Sequence, residues 1–288
     1  MLLHPRKVAR AVYYGTRWRI RKSLGIPEKH HDPVVGGDLE VAFARHLRIC
    51  ELMNEAVASA SLEAGFVACE IGSGDCVAGA DLLLGSGARK VYLVEKQPIP
   101  MVPNQREIIR RLAATPGLPN RAEALTGVSE IALDARVSVI AEFFEDARLP
   151  EPVDFIFSFD VLEHVEDLDA FFAGCARILK PGGRMIHKFD LSGHEFFEDP
   201  MPPLDFQTYP DWLYGLMFPR YRRATRFLLD QHMASMEKAG FIVASRRFIH
   251  AADASYVQRV RPQLRATARQ RSDEDLAALD VVVEATLR

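Results

Sequence analysis

Short apolar runs separated by longer amphipathic stretches recur along this chain. Runs at residues 67–71, 90–94, 137–140 and 153–158 are mostly hydrophobic, which is the pattern of strands buried on both faces of a parallel sheet, and a fifth strand is expected at 184–189. The segments between them are long enough for the crossover helices that parallel strands require. The pattern therefore predicts an α/β sheet, to which two later runs, at 241–244 and 280–285, add further strands.

The amphipathic stretches and the irregular ones predict how the chain is divided. A long helix is expected over residues 39–64, with Gly65 as its stop, and another over 231–239. We expect a basic N-terminal arm and helix over 1–64, a core over 65–190, a lid over 191–235, and closing strands and helices over 236–288. The proline-rich connection 96–136 is expected to form two short helical stretches over a bound ligand, and the aromatic segment 195–221 to cover an acceptor.

A glycine turn after the first strand is the most specific feature. Gly72, Ser73 and Gly74 follow Glu70, which lies on the strand itself. Glycines allow a tight turn and close approach to a ligand, and a helix that starts after them presents backbone amides. A dinucleotide site needs a third glycine, whereas this chain has Val77, and a carboxylate at Glu70 suits a cationic ligand better than an anionic pyrophosphate.

A second acid follows the next strand. Glu95, with Lys96 beside it, ends the run at 90–94, and Glu95 lies 95 − 74 = 21 residues beyond the last glycine. In doubly wound folds an acid at about this interval reaches ribose hydroxyls. These residues predict a nucleoside-containing, positively charged cofactor.

The E-x-G-x-G pattern at residues 70–74 and the L-K-P-G-G run at 179–183 resemble motifs of class I S-adenosylmethionine (SAM)-dependent methyltransferases. The resemblance covers about residues 65–288. It implies a Rossmann-like fold, a seven-stranded, mostly parallel sheet with an antiparallel last strand, and SAM as cofactor. It also implies Asp146 near the adenine amine, and Phe159 and Asp160 at the cofactor and methyl-transfer site.

Candidate acceptor-side residues follow two strands. Asp160, Glu163 and His164 share one face if a helix begins at Asp160, and D-V-L-E-H resembles the D/E-x-x-E-H of quinone-pathway and small-RNA O-methyltransferases, where such groups can hold a divalent ion. His187 and His194 belong to a run similar to the H-x-x-D-L-x-x-H of methyltransferases near polysaccharide genes. We expect His164 or His194 to accept a proton from an acceptor hydroxyl, with metal assistance as a weaker version.

Composition adds little to the prediction of fold and cofactor. The net charge of −3, four cysteines without C-x-x-C spacing and the lack of a long apolar run predict a soluble cytoplasmic enzyme with reduced core thiols. Acids dominate residues 141–170, so no nucleic-acid partner is expected. The basic arm predicts either a solvated helix packed against the domain, contact with an anionic membrane or phosphorylated acceptor, or an organelle presequence.

The leading hypothesis is a SAM-dependent methyltransferase that modifies oxygen on a small-molecule, lipid-linked or saccharide acceptor. An NAD-dependent oxidoreductase is the first alternative, although Glu70 and the missing third glycine argue against it. A SAM-binding protein without catalysis is the second.

Overall fold

The computed structural model describes residues 5–24, 37–97, 99, 101–126, 132–193, 202–217 and 225–288. Its strands are β1 (Val67–Ile71), β2 (Lys90–Val94), β3 (Leu125–Thr126), β4 (Ala132–Leu133), β5 (Val137–Ile140), β6 (Val153–Phe159), β7 (Leu179–Asp190), β8 (Phe241–Ala251) and β9 (Ala278–Leu287). Strands β3 and β4 form a separate antiparallel hairpin.

The other seven strands form one sheet in the order β5-β2-β1-β6-β7-β9-β8. The five strands from β5 to β7 pair in parallel, whereas β9 runs antiparallel to both of its neighbours. The prediction of a Rossmann-like, mostly parallel sheet with an antiparallel last strand is confirmed. Because parallel strands end at one edge, the carboxyl ends of β1, β2, β6 and β7 assemble a common site.

Helices cover both faces of this sheet. They are α1 (Pro5–Ser23), α2 (Leu39–Ala60), α3 (Ala78–Gly85), α4 (Pro103–Ala113), α5 (Leu168–Ile178), α6 (Asp211–Met217), α7 (Leu229–Lys238), α8 (Ala254–Val260), α9 (Ala266–Arg269) and α10 (Asp273–Ala277). One apolar core joins the sheet to α2, α3 and α4, and a second joins its other face to α5 and α7. In the ranges that the structure describes, no helix is both long and apolar enough to cross a bilayer.

Two element boundaries differ from the sequence prediction. Helix α2 ends at Ala60 because Ser61 adopts a left-handed conformation (φ 50°), so the expected stop at Gly65 is wrong by one turn. The L-K-P-G-G run does not precede β7 but lies inside it. Its extra residues form a bulge between the pairs Val153–Leu179 and Phe155–Arg184, which a strand accommodates by a local twist.

In its described residues, the connection between β2 and β5 contains one helix and the β3-β4 hairpin, where the sequence predicted two short helical stretches. Helix α4 packs against α2 and α3. The buried carboxylate of Asp81 on α3 fastens the loop before the hairpin: it accepts bonds from the Asn120 side chain and from the backbone N–H groups of residues 121–124. This loop approaches so closely that a Cβ at Gly85 would lie 1.8 Å from the Pro119 carbonyl oxygen.

A third apolar core lies away from the sheet. It joins residues 202–217 to the helical connection between β8 and β9, through buried side chains such as Phe206, Tyr209, Leu213, Val257 and Leu264. Helix α1 packs against α6. The described part of the predicted lid is therefore packed with the α8–α10 connection, which the sequence had grouped with the closing strands. We call residues 202–217 and 252–277 the cap.

Candidate functional site

The glycine turn has the geometry that its sequence predicted. Gly72 and Gly74 have φ of 73° and 66°, in the left-handed region of backbone conformation that residues other than glycine rarely adopt. The Gly72 N–H donates to the Val94 carbonyl at 2.9 Å, and a Cβ at Gly72 would lie 2.4 Å from Val161 Cγ2. The turn is thus fixed between β2 and the segment that follows β6.

Glu70 is the most unusual group at this turn. Its side chain is 5% exposed, and no described group donates to its Oε2 atom. Burial and, secondarily, the charge of Glu95 raise the pKa of Glu70 from 4.5 to about 8. A buried carboxyl without a cation or donor is costly, and a positive ligand would favour its ionised form.

Gly79 makes room for this carboxyl. Gly79 lies in the first turn of α3, and a Cβ there would lie 2.4 Å from Glu70 Oε2 and 2.5 Å from Oε1. The sequence prediction had looked for a third glycine at position 77 and found Val77. The glycine that allows the helix to approach the strand is instead Gly79, two residues later. The spacing of Gly72, Gly74 and Gly79 in the sequence could have identified it.

Glu95 lies on the other side of the turn. Its Oε2 accepts a hydrogen bond from the Gly74 N–H at 3.0 Å, and burial, partly offset by such backbone donors, raises the pKa of this carboxyl. Lys96 is exposed beside it. The Ser73 hydroxyl is buried and has no partner among the described residues. The turn therefore gathers two carboxyls and a hydroxyl.

The segment after β6 does not begin a helix at Asp160, so this prediction is wrong. Asp160 has φ 55°, and a single 3-10 turn spans Leu162–His164. Glu163 is buried and His164 is exposed, because neighbouring residues on such a turn point in different directions. Asp160 and Glu163 are nevertheless electrostatically coupled: burial and then the Asp160 charge raise the pKa of Glu163 well above its ordinary value.

Lys188, near the carboxyl end of β7, connects the carboxyl end of β6 with the amino end of β9. Its buried ammonium forms ion pairs with Asp160 after β6 and with Asp280 on β9, and Asp280 also accepts a bond from His250 Nδ1 on β8 at 3.0 Å. Burial raises the pKa of Asp160, and Lys188 opposes this rise. Sequence reasoning missed Lys188 and Asp280, since their proximity depends on the β7-β9 register.

The remaining predicted residues are dispersed. His187 is fully buried beside Phe171 and Phe172; its Nδ1 contacts the Ser158 hydroxyl at 2.7 Å and its Nε2 contacts Met185 Sδ. Burial lowers the pKa of His187 to about 3. His187 belongs to the core, which corrects its expected place among acceptor-site residues.

Two cofactor candidates lie at strand ends, and one histidine lies outside the described residues. Asp146 is exposed in the turn after β5, and Phe159 ends β6 with the Lys188 ammonium 4.7 Å from its ring centre. His194 is not among the residues that the structure describes. Within the described ranges, no three His, Cys, Asp or Glu side chains are arranged to hold a metal ion. All four cysteines are buried free thiols, as expected.

The sheet order, the glycine turn and the acid on β1 define the class I SAM-dependent methyltransferase fold. Residues 112–187 match the family model described as a methyltransferase domain.

Curated relatives match over a short part of the chain. A ubiquinone biosynthesis O-methyltransferase from Rhodopseudomonas palustris is 40% identical over 58 residues, which are 20% of this chain and 21% of that protein. One from Xylella fastidiosa is 42% identical over 58 residues, 20% of this chain and 23% of its own length. The matches span about a fifth of the length of these relatives.

Solved structures are similar at low identity. The magnesium protoporphyrin IX methyltransferase from Synechocystis with bound S-adenosylhomocysteine (SAH) has a TM-score of 0.48 and 15% identity, covering 98% of each chain. A SAM-dependent methyltransferase from Mesorhizobium loti has a TM-score of 0.45 and 15% identity, covering 81% of this chain and 96% of its own. Similarity of this degree carries no argument about the acceptor.

Proposed function

We propose that this protein is a SAM-dependent methyltransferase that methylates oxygen on a small-molecule, lipid-linked or saccharide acceptor. The observation that carries the proposal is the buried Glu70 carboxyl, which lacks a partner for Oε2 and lies beside a turn without side chains at positions 72 and 74. The matched relatives that are named O-methyltransferases support transfer to oxygen.

The residues at the turn fit the charges of SAM. Glu70 is suited to face its positive charge, Glu95 to accept from ribose hydroxyls, and Ser73 to bond a polar group that approaches the turn. The bound donor supplies an electrophilic methyl group on a sulfonium sulfur. The chain itself then has to orient the acceptor in line with that methyl group, exclude water and accept the acceptor's proton.

Asp160 is our leading proton acceptor. Lys188 favours its ionised form, whereas Glu163, buried next to it, holds its own proton more tightly. A pair of carboxyls that differ in this way can divide the roles: Asp160 accepts the hydroxyl proton and neutral Glu163 donates a hydrogen bond. His164, exposed on the same 3-10 turn, is the second candidate for the base.

Calorimetry on the full chain with SAM, SAH and NAD tests the cofactor assignment. We expect SAM and SAH to bind and NAD to show no heat. Preferential binding of NAD would contradict the proposal and favour the oxidoreductase alternative.

Transfer of a labelled methyl group into a pool of small hydroxylated acceptors tests the reaction. We expect label in an ether linkage, and its transfer to fall at least 100-fold in Asp160→Asn with SAM binding unchanged. His164→Ala in parallel assigns the base between the two candidates. Binding of SAM without a methylated product from any acceptor pool would favour the non-catalytic alternative.

A further inference from the structure

A cavity of about 480 Å³ lies between the cap and the segment that leads into α7. It is lined by two aromatic side chains, Tyr214 and Phe227, and by three arginines, Arg226, Arg265 and Arg271. Its size falls within the range of pockets that hold small molecules. Aromatic walls with several guanidinium groups suit a flat apolar body that carries an anionic group.

The arginines converge on one carboxylate. Asp211 Oδ1 accepts from Arg226 Nη2 and lies 3.7 Å from Arg265 Nη1, so two guanidinium groups meet at one oxygen. Arg265 is also fixed from behind, because its Nε donates to Gln207 Oε1 at 2.8 Å and its Nη2 to the Arg226 carbonyl. These contacts hold the Arg265 guanidinium in one orientation before any ligand arrives.

Three carboxylates, Asp211, Glu166 and Asp230, match the three arginines in number, so an anionic ligand would have to displace Asp211 from Arg226 and Arg265. Burial lowers the pKa of Arg265. The Asp211 carboxylate opposes this decrease, and the charge of the nearby Arg271 adds to the decrease. Arg271 pairs with Asp230, and Glu166 also lines the cavity. Asp211 itself is 79% exposed at the start of α6, so the protein's own carboxylate reaches from the surface to the point where the two guanidinium groups meet.

The cavity adjoins the candidate methyl-transfer site. The N–H of Thr225, a lining residue, donates to the Glu163 carbonyl at 2.5 Å. The wall of the cavity is therefore bonded to the turn that presents Glu163 and follows Asp160.

We propose that this cavity binds the carboxylate or phosphate group of the methyl acceptor, with Arg265 and Arg226 as its anchors and Asp211 as an internal competitor for them. The inference rests on the proposed function and assigns a substrate class to it: small acceptors with an aromatic or similarly flat body and one anionic group.

The test measures binding of benzoate, phenyl phosphate and the neutral probe benzyl alcohol by calorimetry, with the full chain and saturating SAH. We expect both anions to bind more tightly than benzyl alcohol. Arg265→Gln should weaken anion binding at least tenfold because one anchoring charge is lost. Asp211→Asn should strengthen it several-fold because the internal competitor is neutralised, and Arg259→Gln, on the exposed side of α8, should leave it unchanged.

Opposite effects of the Arg265 and Asp211 variants separate a specific site from misfolding, since misfolding would weaken binding in both. In Asp211→Asn the buried Arg226 guanidinium keeps the Phe206 and Tyr209 carbonyls as hydrogen-bond acceptors. Equal binding of benzoate and benzyl alcohol, or weaker anion binding in Asp211→Asn, would overturn the inference. The difference between benzoate and phenyl phosphate identifies which anion the cavity prefers. SAH binding, titrated first in every sample, reports on the proposed function separately.

Discussion

Replacing Glu70 with glutamine should have opposite effects on stability and on cofactor binding. In the unfolded chain a glutamic acid loses its proton near pH 4.5, whereas in the folded protein Glu70 keeps it to about pH 8. Between these values the folded state binds more protons than the unfolded state, so this group makes stability fall as pH rises, and the loss is complete above pH 8. Glutamine does not ionise and removes this loss.

The magnitude follows from the pH interval. From 4.5 to pH 7 there are about 2.5 pH units, each worth about 1.36 kcal/mol, so the ionisation of Glu70 lowers the free energy of unfolding by about 3 kcal/mol. The buried amide of glutamine retains a cost of about 1–2 kcal/mol. We therefore expect Glu70→Gln to be about 1–2 kcal/mol more stable than the wild type at pH 7 without ligand, and to lose this advantage at pH 4.5.

Cofactor binding should change in the other direction. If the ionised carboxylate is the form that binds the positive charge of SAM, wild-type affinity should rise up to about tenfold per pH unit from pH 6 towards pH 8 and then level off. The glutamine variant should bind more weakly at pH 8 and show no such rise.

Urea unfolding and SAM calorimetry at pH 5, 6, 7 and 8 measure both effects. Glu63→Gln, an exposed position shortly before β1, is the matched control and should change neither. A glutamine variant that is less stable at pH 7 and binds SAM with the wild-type affinity at pH 8 would refute the reasoning.

Three further changes test neighbouring features. Gly79→Ala should reduce SAM affinity at least tenfold, measured by calorimetry, because its Cβ would lie 2.4 Å from a buried carboxylate oxygen; unchanged binding would contradict this. Asp81→Asn should lower the free energy of unfolding by about 2–4 kcal/mol in urea titrations, since an amide cannot accept all the bonds that fasten the loop; wild-type stability would contradict it. Lys188→Met should move the acid limb of the activity profile to higher pH, because Lys188 lowers the pKa of Asp160; an unshifted profile would show that Asp160 is not the base.

The strands and the glycine turn were predictable because local physics determines them. Strands buried on both faces are apolar along most of their length, and residues 67–71 and 153–159 follow this pattern apart from Glu70, Asp154 and Ser158. The positive φ of Gly72 and Gly74 is similarly encoded by residue type. The sheet order followed from the resemblance, which supplied the long-range pairings that apolar pattern alone leaves open.

The acceptor side was harder to predict because its geometry depends on long-range contacts. Periodicity placed Asp160, Glu163 and His164 on one helical face, but Asp160 adopts a left-handed backbone conformation while its carboxylate pairs with Lys188. His187 looked like a site residue because it lies near the end of a strand. Side chains alternate between the two faces of β7, and this alternation directs His187 into the apolar core instead.

Carboxyls at the strand ends and an arginine at the cap both have unfavourable electrostatic surroundings, and together they favour one arrangement of the two substrates. Glu70 and Glu163 are buried carboxyls whose pKa values are raised by burial, so each makes the protein less stable at neutral pH than an uncharged residue would. Arg265, which lines the cavity at the cap, is a half-buried cation whose pKa burial lowers. A cationic donor at the β1 turn and an anionic acceptor at the cap would relieve both penalties and bring the methyl group and its acceptor oxygen together near Asp160. The same charges would disfavour an anionic acceptor at the β1 turn and a cationic donor at the cap. The charges of the two substrates are therefore enough to distinguish the two arrangements, without further contacts to the neutral part of either substrate.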